Sequence, residues 1–292
     1  MKDNTRGALL MIGSMTGFTL NDACMKSLSV EIPLFQAIFL RGIATTLAIL
    51  LLARLTGRLS FSLPRRDRRV ILLRTLVEIG AAYFFISALF NMPIANATAI
   101  LQTLPLTVTL AGAVFLGEAV GWRRLSAIFI GFLGVVLIVR PGTEGFNIYS
   151  IYALIAVALV TARDLLARAL SPEVPSLTVA AAAAFGVMLL GAGGTVGADW
   201  VPMEARHWGL IGGSVLFVVA GYVFSVAVMR VGDIGFVAPF RYTSLLIALI
   251  VGVLVFGEWP APLTLFGAAI VVGMGIWVLY REQVVQRAGR AG

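Results

Sequence analysis

Cysteine and histidine are almost missing from this 292-residue chain, which has one of each, Cys24 and His207. A lone thiol closes no disulfide framework, and one thiol with one imidazole builds no zinc site, so neither metal nor cofactor is expected. Charge is scarce too: 12% of residues are charged and 60% are hydrophobic, against about a quarter and a half in ordinary soluble domains. A soluble fold could not cover so much apolar surface, whereas a hydrocarbon layer about 30 Å thick accepts it as helical runs of about 20 residues. No Gly-rich phosphate cradle with its lysine is present, which excludes an ATP motor within the chain. Nor do a nucleophile with its base or clustered carboxylates occur, so enzymatic activity is not expected.

What charge there is sums to +8 and is concentrated. Arg65, Arg66, Arg68 and Arg69 share one hydrophilic stretch flanked by Arg54, Arg58 and Arg74, without aromatic interleaving. Such a patch fits a cytoplasmic loop obeying the positive-inside bias better than a nucleic-acid surface, and no nucleic-acid partner is expected. Between these charges the hydrophobic runs predict ten membrane-spanning helices, an all-α integral membrane fold. They lie near 7–26, 33–53, 70–90, 94–116, 124–140, 148–169, 176–197, 208–229, 235–256 and 263–280. The first run lacks a small-residue cleavage site and is closed by Asn21, Asp22 and Lys26, so it reads as a retained helix, not a removed signal. Lys2, Arg6, the Arg54-to-Arg74 stretch, Arg123, Arg124, Arg281, Arg287 and Arg290 fall on one side. That side is expected to be the cytoplasm, with both termini inside and the chain in a bacterial inner membrane.

An internal repeat organises the spans. Asp22, Lys26, Leu28, Ser29, Glu31 and Pro33 recur as Asp164, Arg168, Leu170, Ser171, Glu173 and Pro175, each displaced by 142 residues. Tyr83 answers to Tyr222, and Gly117-Glu118 to Gly257-Glu258. Five spans per half is an odd number, so the second half must enter the bilayer from the other side, giving two inverted five-helix repeats. The expected units are 7–140 and 148–280, followed by a cytoplasmic tail over 281–292. Inverted repeats of this kind are concentrated in secondary carriers, although a duplicated scaffold that moves nothing has the same pattern.

The paired Gly-Glu motifs at the end of the fourth helix of each half, the small-residue helix after each, and Pro33 and Pro175 opening the second helices resemble the EamA family of the drug/metabolite transporter superfamily. The resemblance covers nearly the whole chain and implies a central cavity lined mainly by helices 1, 3, 4, 6, 8 and 9, with helices 5 and 10 packed together away from it. Asn21-Asp22 through Lys26, Pro33-Leu34-Phe35-Gln36 and Leu40-Arg41-Gly42 are also similar to the riboflavin importers of that superfamily. Riboflavin is therefore the best single substrate guess, with amino acids or related metabolites as the exported alternative.

Ionisable groups within a bilayer are costly and suggest function. Glu78 and Arg241 stand at similar depth on helices 3 and 9, and either pair across the cavity, divide between substrate contact and gating, or remain separate, Glu78 with Arg74 and Arg241 reaching the interface. Arg41, in helix 2, is expected either to meet an anionic group or to anchor on carbonyls of a neighbouring helix. Asp22 with Lys26, and Asp164 with Arg168, sit four residues apart on opposite sides of the membrane, as gates or as helix-end anchors. Asn96, Gln102, Thr103 and Thr107 supply polar groups on helix 4, and Tyr83, Tyr222 and Tyr242 supply rings that could stack on a planar solute or simply pack. Ala127 with Gly131, and Ala269 with Gly273, put small residues on faces of helices 5 and 10 expected to touch. The partners implied are a small-molecule substrate and the bilayer, with the protein a monomer or weak homodimer.

Overall fold

The computed structural model describes residues 2–56, 63–117, 120–142, 146–228 and 234–290. Its helices are α1 (Lys2–Leu28), α2 (Leu34–Leu55), α3 (Arg65–Asn91), an interrupted α4 (Ile94–Leu101 and Leu104–Leu116), α5 (Trp122–Val139) and α6 (Tyr149–Arg168). There follow α7 (Ser176–Gly194), α8 (Ala205–Val228), an interrupted α9 (Ile234–Val237, a 3-10 turn over Ala238–Tyr242, then Thr243–Phe256) and α10 (Pro262–Arg290). Among the described residues nine of these ten rods are long and apolar enough to cross a bilayer. The exception is α1, in which Asn21, Asp22 and Lys26 dilute the apolar run, yet it packs lengthwise on α8 inside the same bundle. Phe115, Phe129, Leu246, Leu254 and Phe266 are all more than half exposed on the outside of the bundle, the opposite of a water-soluble surface. The chain is a multi-pass membrane protein.

Four antiparallel helix pairs hold the bundle together: α1 with α8, α2 with α7, α3 with α6, and α5 with α10. Their register is set by close backbone approach. A Cβ on Gly134 would fall 2.8 Å from the Gly267 carbonyl oxygen, and one on Gly267 would fall 2.6 Å from that of Gly134, so the α5–α10 seam needs glycine on both sides. The expected contact between these helices is there: Gly131 of α5 faces Met274 of α10 as well as Leu106, and Ala127 packs with Val278, whereas nothing lies within 4 Å of a Cβ on Gly273.

Several ends follow from local chemistry. Prolines 33, 64, 93 and 175 stand immediately before α2, α3, α4 and α7, where their missing N–H and fixed φ cost the helix nothing. Within α4 the helix breaks at Gln102–Thr103, just before Pro105, and α9 changes to a 3-10 turn around Pro239. The two breaks face each other: the Gln102 side-chain amide donates to Ser244 Oγ at 2.6 Å and to the Arg241 carbonyl at 3.4 Å.

Candidate functional site

A cavity of about 240 Å³ lies beside these breaks. One stripe of α3 forms a wall through Glu78, Ala81, Ala82, Phe85, Ile86 and Leu89, at the three- and four-residue spacing that places side chains on one helical face. Facing it are Asp22 and Met25 of α1, Arg41 of α2, Leu101 and Leu104 flanking the α4 break, and Ala156, Val160 and Arg163 of α6. The volume is below the 300–1,000 Å³ usual for ligand sites. It is a compact chamber, mostly aliphatic, with four ionisable side chains.

Toward the face of the bundle where the chain starts, Glu78 is held by Arg163 of α6 at 3.3 Å and by Arg74, one turn back on α3, at 3.7 Å. Arg163 in turn pairs with its neighbour Asp164 at 2.9 Å. Beyond this cluster a wider vestibule of about 540 Å³ is lined by Arg74, Leu170, Ser171, Val179, Tyr222 and Ser225. Arg74 borders the vestibule and Glu78 borders the chamber, so their ion pair stands between the two spaces.

At the opposite face the chamber ends in a tighter arrangement. Lys26 Nζ lies 2.9 Å from Glu258 Oε1 and donates to the carbonyls of Met92 at 2.7 Å and Leu89 at 3.3 Å. The second oxygen of Glu258 accepts from the Ile94 backbone N–H at 2.9 Å. Gly257 makes this reach feasible: at φ +64° it takes the left-handed conformation that ends α9 and turns Glu258 back into the bundle. One lysine and one glutamate thereby join α1, α3, α4 and the end of α9. The counterpart Glu118 lies outside the described residues.

Several expectations about side chains are corrected by these positions. Of the arrangements expected for Glu78 and Arg241, the separate one is found: Glu78 pairs with Arg74, and with Arg163 besides, while Arg241 is exposed beside the α9 turn and does not reach Glu78. Similar depth does not bring them together because the chain around Pro239 is a 3-10 turn on which Arg241 is exposed. Asp22 and Lys26 do not pair with each other either: Lys26 is drawn to Glu258, and Asp22 accepts from the Asn21 amide at 2.9 Å. Asp164 pairs with Arg163 instead of Arg168, which ends α6. Arg41 reaches the chamber, although α2 was not expected among its walls, and α8 and α9 contribute no lining residue among those described.

The aromatic and polar candidates scatter. Tyr83 belongs to a ring cluster with Phe35, Phe84 and Tyr152 outside the chamber, where Phe85 is the aromatic wall residue. Tyr222 lines the vestibule, and Tyr242 is buried with its hydroxyl beside Gly275. Gln102 serves the contact between the two breaks, Asn96 keeps a buried side-chain oxygen without a hydrogen-bond partner, and Thr107 bonds Thr161 at 2.7 Å. Arg163 is the residue that sequence reasoning passed over. Its signal was a cation near the end of an apolar span, hidden by its neighbour Asp164, which drew attention through the repeat.

Outside the apolar zone, His207 Nδ1 accepts from the Glu204 backbone N–H at 3.1 Å, which leaves Nε2–H to donate to Glu31. Arg206 adds an ion pair to Glu31 at 2.9 Å. The His207 hydrogen bond first, and the Arg206 charge with it, hold the Glu31 carboxyl below the usual glutamate range.

Comparison with known proteins agrees with this architecture. Residues 5–140 match the EamA-like transporter family. The S-adenosylmethionine uptake transporter of Rickettsia felis is 24% identical, covering 97% of both chains. The pseudopaline exporter of Pseudomonas aeruginosa is 28% identical over 91% of this chain and 93% of its own. A riboflavin transporter of Vibrio cholerae is 28% identical over 91% of this chain and 90% of its own. A crystal structure superimposes with a TM-score of 0.67 at 18% identity, over 96% of this chain and 99% of that one, which establishes a shared fold.

Proposed function

We propose that this chain, whose residues 5–140 match the EamA-like transporter family, is a secondary carrier that moves a small organic metabolite across a bacterial inner membrane by alternating access. The observation that carries the reading is the chamber itself, closed at one end by Lys26 and Glu258 and parted from a wider vestibule by Arg74 and Glu78. A carrier needs a site that each side reaches in turn, and broken helices meeting beside it are how such sites are built.

In this reading residues 7–140 and 148–280 are two five-helix halves inserted in opposite senses, with 281–292 as a tail and both termini in the cytoplasm. Helix pairing supports it. Exchanging each helix with the one five places along turns the α1–α8 pair into the α6–α3 pair and returns the α2–α7 and α5–α10 pairs to themselves, as a pseudo-two-fold requires. The vestibule then opens to the cytoplasm, and the Lys26–Glu258 closure faces outward.

Riboflavin remains one substrate reading, favoured by the matching opening stretch and by the transporter of Vibrio cholerae. The tyrosines that could have stacked on a planar solute do not line the chamber, where Phe85 is the aromatic wall residue. The test is uptake and efflux of labelled riboflavin and amino acids by the purified protein in proteoliposomes, with and without a pH gradient. Saturable flux of one of them is expected; a chain that passes no solute under any gradient is a scaffold and not a carrier.

A further inference from the structure

Where α5 begins and α10 nears its end, a separate space of about 260 Å³ opens away from the chamber. Gly121, Trp122, Arg123 and Arg124 line it from the α5 start and Arg281 lines it from α10, three cations and no acid among the described residues. The α5 span starts at Trp122 and the membrane-length part of α10 runs to Arg281. These arginines therefore stand where a bilayer passes from hydrocarbon to headgroups. The aromatics agree: Trp122 and Tyr280 are more than half exposed there, the usual place of interfacial tryptophan and tyrosine. Trp122, Leu125 and Phe129 follow three- and four-residue spacing, so this exposed surface continues along one face of α5 toward the hydrocarbon.

The guanidinium of Arg123 lies 5.6 Å from the centre of the Trp122 ring, and that of Arg281 lies 5.9 Å from the centre of the Trp277 ring. Such ring contacts position a cation without supplying the oxygen acceptors that its fork of N–H donors fits. Among the described residues neither Arg123 nor Arg281 joins an ion pair. In the sequence, 117–124 and 277–292 together hold five arginines against two glutamates, so the local balance is positive. Cations gathered in this way repel one another, and an anion between them relieves the repulsion.

A soluble phosphate would meet the arginines but leave the Trp122–Leu125–Phe129 face uncovered. A zwitterionic lipid covers that face but brings its own cation against the arginines. An anionic lipid does both without that penalty. We infer that Arg123, Arg124 and Arg281 seat the phosphate of an anionic glycerophospholipid, with an acyl chain along Leu125 and Phe129. The headgroup then bridges α5 and α10 at one end of their glycine seam.

The test is native mass spectrometry of the purified full chain in detergent with an equimolar mixture of phosphatidylglycerol and phosphatidylcholine. Retention of one phosphatidylglycerol is expected, preferred by about tenfold or more. Arg123→Gln/Arg281→Gln should cut that preference about tenfold. Arg65→Gln/Arg69→Gln, on the exposed basic stretch at the α3 start, should leave it unchanged. So should inorganic phosphate in excess. The preference is a ratio within one sample and does not depend on how much of a variant folds. Equal retention of the two lipids, an unchanged preference in Arg123→Gln/Arg281→Gln, or an equal loss in both double variants overturns the inference. Displacement of the lipid by inorganic phosphate overturns it too, in favour of a soluble anion. Retention is read without flux, so each of these failures leaves the carrier reading standing.

Discussion

At the closed face, Lys26 meets Glu258 at 2.9 Å and adds two backbone carbonyls, while Glu258 takes a backbone N–H, so both charges are tied to the ends of helices. At the vestibule end, Glu78 meets Arg163 at 3.3 Å and Arg74 at 3.7 Å through side chains alone. The Lys26 side chain is 10% exposed and that of Arg163 is 26% exposed. Backbone anchoring, shorter distances and deeper burial make the first cluster an all-or-none closure, because separating it leaves two charges and three backbone groups to be satisfied at once. Side-chain clusters such as the second exchange partners in small steps. For a carrier, the contrast assigns the larger barrier to opening the Lys26 end and the finer adjustment to the Glu78 end.

The largest effect that could break this contrast is expected from Lys26→Met. Removing one partner strands Glu258 in a half-buried site, a loss on the order of 3–5 kcal/mol, read as a lowered thermal midpoint in detergent. Glu258→Gln should weaken the same closure, and the double variant Lys26→Met/Glu258→Leu should recover part of the midpoint without recovering flux. A smaller effect on stability is expected from Glu78→Gln, because Arg163 keeps Asp164 and the glutamine oxygen can still accept from Arg74. Its mark should be functional: proteoliposome flux falls several-fold while the midpoint barely moves. If Glu78→Gln unfolds the protein as readily as Lys26→Met, the two clusters do not differ as argued.

The scaffold was largely legible in the sequence because a bilayer imposes it: apolar runs of fixed length and prolines at helix starts leave few alternatives. The repeat even pointed to Gly257-Glu258, whose purpose, returning a carboxylate to Lys26, needed the left-handed turn to become visible. Side-chain partners were harder. Helical spacing suggested that Asp22 would hold Lys26 and that Asp164 would hold Arg168, but a spacing of four residues only makes a pair feasible. A partner on another helix with additional backbone groups outcompetes it. Depth counting likewise assumed that helix 9 was regular, and its 3-10 turn removed Arg241 from the chamber. Arg163 entered through packing between helices, on which a single sequence is silent; Arg41 stood out as a charge within helix 2, but its place in the chamber wall did not.

The smallest effect is expected at the exposed end of the same face, where Glu31 links the α1–α2 connection to His207 and Arg206 at the start of α8. Because the folded state holds the Glu31 carboxyl below its ordinary range, it favours the ionised form. The stabilisation from that form is therefore complete above the unfolded value, about 4.3, and is lost as pH falls through the lower folded value. Comparing thermal midpoints of wild type and Glu31→Gln across pH should show a small gap at neutral pH that closes as the carboxyl protonates, below about pH 4. Arg206 and Glu31 are exposed to solvent, so the gap should also shrink with added salt, which the buried Lys26–Glu258 pair should resist. A gap at neutral pH as wide as that of Lys26→Met would move the closure from the buried pair to the surface loop and reverse the contrast between the two clusters.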